Sequence, residues 1–136
     1  MLPSGTWGLH DASQPYLFVT VLVYTAARML GVPADAPLLA RARAFVESEG
    51  GALAIPSWGK FWLALAGLYR WEGVNPVLPE LWLQPRSSPL HPSRYYCHTR
   101  HIYMAMSVLY GERYVGPETE LVHALRRELY PEAIFP

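Results

Sequence analysis

Cys97, His98 and His101 crowd into one short stretch of the chain, with His91 a little upstream. A Cys/His cluster raises metal binding first, and His98 and His101, three positions apart, would share one helix face as a candidate ligand pair. Zinc sites draw on three or four nitrogen and sulfur ligands at fixed spacing. Here there is a single cysteine, and His91 is followed by Pro92. The competing reading places these histidines at a helix start, where they satisfy backbone groups. Cys97 lies in no Gly-rich elbow and no cysteine-protease signature. Its default is to pack as a small buried hydrophobe. The rings say more. Trp58, Trp62, Tyr69, Tyr95, Tyr96 and Tyr103 are many for a short chain. Core packing explains any one of them, but together they are able to line a pocket for a large apolar ligand. Ring faces also attract cations, by about 0.5–2 kcal/mol each. A ring-lined pocket around a histidine suits carbocation chemistry, in which the rings shelter positive charge and a base ends the reaction by removing a proton.

Helices must position these side chains. Met1 to Ser13 reads as turns, and Leu17 to Leu30 as a helix apolar on nearly every side, hence buried. Gly31 and Pro33 end it. Asp35 and Pro37 open a second, amphipathic helix with a stripe of Leu38, Ala42, Phe45 and Val46, closed by Gly50 and Gly51. Pro56 and Ser57 start a third that runs to Arg70, with Trp58, Trp62, Leu65 and Tyr69 on one face, widened by Phe61 and Leu68, and Gly73 as its stop. Asn75 to Ser93 holds five prolines, Pro76, Pro79, Pro85, Pro89 and Pro92, so no helix survives there. A loop of that length is functional or packed on itself. A fourth helix from about Thr99 to Tyr110 carries Thr99, Tyr103, Met106 and Tyr110 on one face and ends at Gly111. A fifth starts after Gly116, with Pro117 and Glu118 in its first turn, and shows a stripe of Leu121, Leu125 and Leu129. β signals are few. The expectation is an all-α segment of helical hairpins packed in a layer, spanning residues 1–136 as a single unit.

Composition narrows the function classes. Of 136 residues, 51% are hydrophobic and 13% aromatic, while only 16% are charged, with no net charge; about 25% charged is usual. The chain is not disordered by composition, and its even charge balance argues against a nucleic-acid binder that neutralises phosphates. One cysteine excludes an internal disulfide framework and a multi-cysteine zinc ribbon. The apolar run from Leu17 to Ala27, closed by Arg28, falls short of the roughly 18 to 20 residues of a membrane span. Arg28 is the first Lys or Arg, so no positive region precedes that run and a cleaved signal peptide is not expected; the expected location is intracellular. Few charges and many rings leave two outcomes: an unusually aromatic core, or apolar surface meant to face something else.

Several motifs, in order and at matching spacing over nearly the whole chain, resemble the oxidosqualene cyclases, the terpene cyclase/mutase family of lanosterol and cycloartenol synthases. They are Trp7-Gly8-Leu9-His10, Gly50-Gly51-Ala52, Ile55-Pro56-Ser57-Trp58-Gly59-Lys60-Phe61-Trp62-Leu63-Ala64 and Trp71-Glu72-Gly73-Val74-Asn75. Pro79-Glu80-Leu81-Trp82-Leu83, His91-Pro92, Tyr96-Cys97-His98-Thr99-Arg100 and Arg127-Glu128-Leu129-Tyr130 continue the match. The resemblance implies part of an N-terminal half, a partial α/α barrel, and association with one face of a membrane. The implied isomerase reaction protonates the epoxide of 2,3-oxidosqualene, or a similar triterpene precursor, and closes rings in a carbocation cascade that ends in proton loss. It implies no metal and no organic cofactor.

Residue by residue, the resemblance makes His98 the histidine near the final deprotonation, as in the sterol-forming branch; neutral imidazole is a suitable base near physiological pH. Trp58 matches a pocket-lining tryptophan and Tyr103 a tyrosine at the constriction of the substrate channel. Tyr96 stands where the family usually has Trp, and its ring is the weaker cation binder; Thr99 stands where sterol cyclases usually have Cys. The family's acid, an Asp in an acidic motif of the other half, has no match: the turns at Asp11, Asp35 and Glu72 do not resemble it. Gly5-Thr6-Trp7 resembles the tail of a family repeat whose Gln would precede Met1. The resemblance thus implies no cyclase activity from this chain alone, and a second polypeptide bringing the acid. A ring-rich face open to solvent would seek a partner. A non-catalytic helical module that binds an isoprenoid or a protein partner is the competing expectation.

Overall fold

A computed structural model describes Leu2 and residues 4–130. They form five α-helices: α1 (Leu17–Met29), α2 (Pro37–Ser48), α3 (Ser57–Leu65), α4 (Cys97–Glu112) and α5 (Glu120–Leu129). Short 3₁₀ turns lie at Gly51–Ala54, Trp71–Gly73, Pro79–Leu83 and Pro92–Arg94, and among the described residues there is no strand. The fold is all-α. α1 and α2 form a hairpin onto which α5 packs, while α4 packs against the turn at Pro79–Leu83.

α1 is rich in β-branched residues, which lose side-chain freedom in a helix. Burial compensates on one face: Thr20, Val21, Tyr24 and Thr25 are covered. Thr25 Oγ1 donates to the Val21 carbonyl at 2.8 Å. Thr20 Oγ1 both accepts from the Trp7 amide and donates to the Trp7 carbonyl, each at 3.1 Å, pinning the N-terminal turns to the helix. α1 is less enclosed than its sequence suggests, since Met29 and Leu30 lie exposed at its end. Gly31, at φ 89°, closes it: the Gly31 amide reaches the Arg28 carbonyl and the Val32 amide the Ala27 carbonyl, the Schellman arrangement.

α2 begins at Pro37, whose fixed φ suits a first helical position. Its buried stripe is Leu39, Ala42 and Val46. Leu38 and Phe45, expected in that stripe, are half-buried instead. Ala42 and Val46 stay in the buried stripe, and Leu39 takes the inner place expected of Leu38 on a helix that packs on both α1 and α5.

α3 ends at Leu65, five residues short of the expected Arg70. Gly67 takes φ 70°, its amide bonds the Ala64 carbonyl and the Leu68 amide bonds the Leu63 carbonyl. Leu68 and Tyr69 are buried, but in irregular chain after this turn. The covered face of α3 carries Gly59, Phe61, Leu63 and Ala64. Trp58 and Trp62, expected to lead the apolar face, are 46% and 45% exposed. Ser57 does not cap the helix; its Oγ accepts from the Asn75 amide at 3.3 Å.

α4 starts at Cys97, earlier than expected, and passes through Gly111 to stop at Arg113, which adopts φ 51°. The Arg113 guanidinium lies 4.0 Å from the Tyr110 ring centre and donates to the Trp71 carbonyl at 3.3 Å. α5 starts three positions later than Pro117, because Thr119 caps it: its Oγ1 accepts from the Val122 amide at 3.3 Å. Arg126 and Arg127 lie in its last turn, where a cation suits the helix dipole.

The core gathers Val21 and Tyr24 of α1, Leu39 and Val46 of α2, Phe61 and Leu63 of α3, and Leu125 and Leu129 of α5. One buried polar junction crosses it. Glu128 accepts from Arg28 through Nε at 2.9 Å and Nη2 at 3.0 Å, and from the Tyr24 hydroxyl at 2.7 Å. Burial alone would raise the Glu128 pKa, but the hydrogen bonds from Arg28 and Tyr24 outweigh it and hold the carboxyl below its usual range. Burial, with the carboxylate alongside, pushes the Tyr24 phenol up.

Candidate active-site cavity

α3, the chain at 74–77 and α4 enclose an open cavity of about 340 Å³. Trp58 and Phe61 come from α3, and Val74 and Val77 from the connecting chain. α4 contributes Thr99, Ile102, Tyr103 and Met106, four positions that helical periodicity brings to one side. Ser57, Asn75 and Thr99 are the polar residues of a wall that is otherwise apolar and aromatic; among the described residues no carboxylate, histidine, lysine or arginine lines it. A wall of this kind solvates hydrocarbon and offers ring faces, but no strong acid.

A row of rings continues from the cavity into the core. Trp58 meets Trp62 edge-on at 6.2 Å, Trp62 meets Phe61 at 6.2 Å, Phe61 meets Trp71 at 5.1 Å and Trp71 meets Tyr110 at 5.7 Å. Edge-to-face pairs at these separations add about 0.5–1.5 kcal/mol each beyond area burial. Trp71 Nε1 donates to the Tyr114 carbonyl at 3.0 Å, so its buried N–H is satisfied.

Tyr103 stands in the wall with its hydroxyl turned to the Leu78 carbonyl, to which it donates. Burial raises its pKa, with the negative charges of an ionised Tyr95 and of Glu80 adding to the effect. The Pro-rich loop is thus packed on itself and on α4. Tyr95 donates to the Leu90 carbonyl at 3.2 Å, and Trp82 Nε1 donates to Ser107 Oγ at 3.3 Å.

Of the residues singled out in the sequence, Trp58, Thr99 and Tyr103 come together in one wall. His98 and Tyr96 sit together outside that lining, in and just before the first turn of α4. Their rings stack with centres 5.1 Å apart and planes 22° from parallel, and both residues are exposed. His98 Nδ1 lies 3.2 Å from Cys97 Sγ. Cys97 is exposed, not the buried hydrophobe expected, because the first turn of α4 projects away from the core. His91 is buried and accepts the Ser93 amide on Nδ1 at 3.0 Å, the backbone role that competes with metal binding. Among the described residues, no three His, Cys, Asp or Glu side chains gather at metal-binding spacing. None of their helices is long and apolar enough to cross a membrane.

Of the expected α4 face, Thr99, Tyr103 and Met106 line the cavity, Ile102 joins them, and Tyr110 packs into the core instead; Phe61, expected only to widen the face of α3, is a lining residue as well. For Ile102 the signal was available in the spacing of Thr99, Ile102, Tyr103 and Met106. Val74 and Val77 carried no such signal, because their placement follows from the conformation of a Pro-rich connection.

Comparison with known proteins agrees with the all-helical fold. Residues 2–134 match the squalene-hopene cyclase N-terminal domain. The chain is 50% identical to human (Homo sapiens) lanosterol synthase over 131 residues, 96% of this chain and 18% of that protein. It is 49% identical to the cycloartenol synthase of Dictyostelium discoideum over 126 residues, 93% of this chain and 18% of that protein. Against the lanosterol synthase of Saccharomyces cerevisiae the identity is 47% over 126 residues, 93% of this chain and 17% of that protein. The chain therefore spans less than a fifth of the length of these relatives. Its helical hairpins are one arc of an α/α barrel, and it belongs to the squalene-hopene cyclase N-terminal domain family, on the oxidosqualene cyclase branch.

Proposed function

We propose that this chain supplies one wall of the chamber in which 2,3-oxidosqualene, or a similar triterpene precursor, is cyclised and rearranged through a carbocation cascade. The observation that carries the reading is the apolar, ring-bearing wall shared by Trp58, Thr99 and Tyr103. The ring faces stabilise the cations as they form. His98 removes the last proton, with Tyr96 beside it, and both meet the chamber across surface that the rest of the catalytic assembly encloses. The reaction needs a strong, preorganised acid aimed at the epoxide oxygen, and the wall described above carries none. The acid arrives on other polypeptide, and the assembly works at a membrane surface, where its hydrocarbon substrate resides.

Incubation of the purified chain with oxidosqualene tests this. No cyclic product is expected from the chain alone, and product is expected once a polypeptide carrying the acidic motif is added. A cyclic product from the chain by itself overturns the claim of inactivity. The same acid-free wall supports a second reading, a helical module that binds an isoprenoid without turnover; saturable binding with no turnover under either condition favours it.

A further inference from the structure

Tyr103 is the one member of the ring cluster behind α4 that also lines the cavity. Trp82, on the Pro79–Leu83 turn, sets its ring 6.4 Å from the Tyr103 ring at 40° and 6.3 Å from His91 at 80°. Tyr95 meets Tyr103 edge-on at 5.5 Å. The Trp82 indole is tied to α4 through Ser107, and the Tyr103 hydroxyl is tied to the loop through Leu78. Helix and loop are therefore joined in both directions through two neighbouring rings. Trp82, Tyr95 and His91 do not reach the cavity.

From this arrangement we propose that Trp82 is a positioning residue of the cavity: it acts through Tyr103, bracing that ring in the wall and so fixing the shape presented to an isoprenoid chain. The proposal rests on the reading of the cavity as an isoprenoid chamber. Tyr103 has few ways to move while Trp82 is in place. Its hydroxyl is committed to Leu78, one side of the ring meets Tyr95, and Trp82 occupies a third approach. With Trp82 removed, the Pro79–Leu83 turn loses its bond to Ser107 and the ring contact that supports Tyr103. The wall then relaxes at the point where α4 and the loop meet.

A double-mutant cycle tests the proposal, because residues that act through one another do not contribute additively. The probe is radiolabelled farnesol in equilibrium dialysis against the full chain, with thermal unfolding followed by far-UV circular dichroism. Trp82→Leu and Tyr103→Leu are each expected to weaken binding by about tenfold, the scale of one lost ring contact. The double variant is expected to bind no more weakly than Tyr103→Leu alone. Trp82→Phe keeps a ring but loses the N–H, so it should retain wild-type binding while unfolding at lower temperature. Additive losses in the cycle, or Trp82→Phe binding as weakly as Trp82→Leu, overturn the positioning role. If Trp82→Leu does not fold, Trp82→Phe is read against wild type: unchanged farnesol binding supports the positioning role of the ring, and binding about tenfold weaker overturns it. Wild-type chain that shows no saturable farnesol binding overturns the chamber reading, and the role of Trp82 with it.

Discussion

At the scale of single residues, the Tyr103 hydroxyl has a use other than chemistry. It donates to the Leu78 carbonyl, so it fastens the loop while the ring serves the cavity. Replacing Tyr103 by Phe keeps the ring and removes the bond, leaving a carbonyl short of a partner. A loss of about 1 kcal/mol in urea unfolding is expected. The phenol itself should ionise late. Burial disfavours the phenolate, and Tyr95 and Glu80 add to that when charged. A folded-state pKa above the unfolded value of about 10 means that the stabilisation is complete below that pH and fades as pH rises through the folded value. A difference ultraviolet titration between wild type and Tyr103→Phe should place the missing phenol on the alkaline side of an ordinary tyrosine. A phenol titrating at or below the ordinary value would contradict the burial described.

At the scale of elements, glycine turns decide where α1, α2 and α3 stop, whereas α4 runs through Gly111 to Arg113. Gly31 and Gly50 were legible as stops because they follow the last apolar position of their stripes. Gly67 was not, because Trp62, Leu65 and Tyr69 keep helical spacing straight through it. Periodicity alone therefore carried α3 too far. Leu68 and Tyr69 are buried by the path the chain takes after the turn, and a buried residue looks the same in sequence whichever backbone delivers it. The register of α2 was ambiguous for a related reason: Leu38 and Leu39 are adjacent and equally apolar, and contact with α1 and α5 chooses between them. The pocket face of α4, by contrast, follows from spacing alone. The place of Trp82 depends on a loop with five prolines, which local pattern does not encode. Gly67→Ala tests the turn. At φ 70° a Cβ costs about 1–2 kcal/mol. The nearest atom that it would meet, Val115 Cγ1 at 3.4 Å, is at ordinary contact distance, so the cost is one of backbone conformation. The thermal midpoint should fall by several degrees with helix content preserved; an unchanged midpoint would count against the turn as the stop.

At the scale of the whole molecule, α1 and α5 are held by apolar packing and by the Arg28–Glu128–Tyr24 junction. Both charged side chains are largely covered, at 14% and 10% exposure. Removing the carboxylate takes the acceptor from the Tyr24 hydroxyl and from the Nε and Nη2 of Arg28, whose Nη1 keeps the Val32 carbonyl, and losses of about 3–5 kcal/mol are typical when one partner of a buried pair is removed. Glu128→Gln should therefore be among the more damaging shape-conserving changes, with urea unfolding as the measure. Its pH dependence has a definite sign. The folded carboxyl titrates below its unfolded value of about 4.3, so the stabilisation is complete above that pH and is lost as pH falls through the lower folded value. Wild type should weaken across that acid interval, and the Gln variant should show a flatter profile there. A wild-type profile as flat as the variant's would contradict the depressed carboxyl.

The same junction joins positions 100 and 104 residues apart. During synthesis α1 emerges long before its carboxylate partner exists. Until α5 is made, Tyr24 and the Nε–Nη2 edge of Arg28 lack their carboxylate, although Arg28 Nη1 can still reach the Val32 carbonyl four residues on, and the apolar side of α1 that α5 will cover stays wet. Loop-closure entropy over such a span slows the meeting further. α1 thus waits for α5, and its nascent state is the interval in which a chaperone or a neighbouring chain has access to that surface.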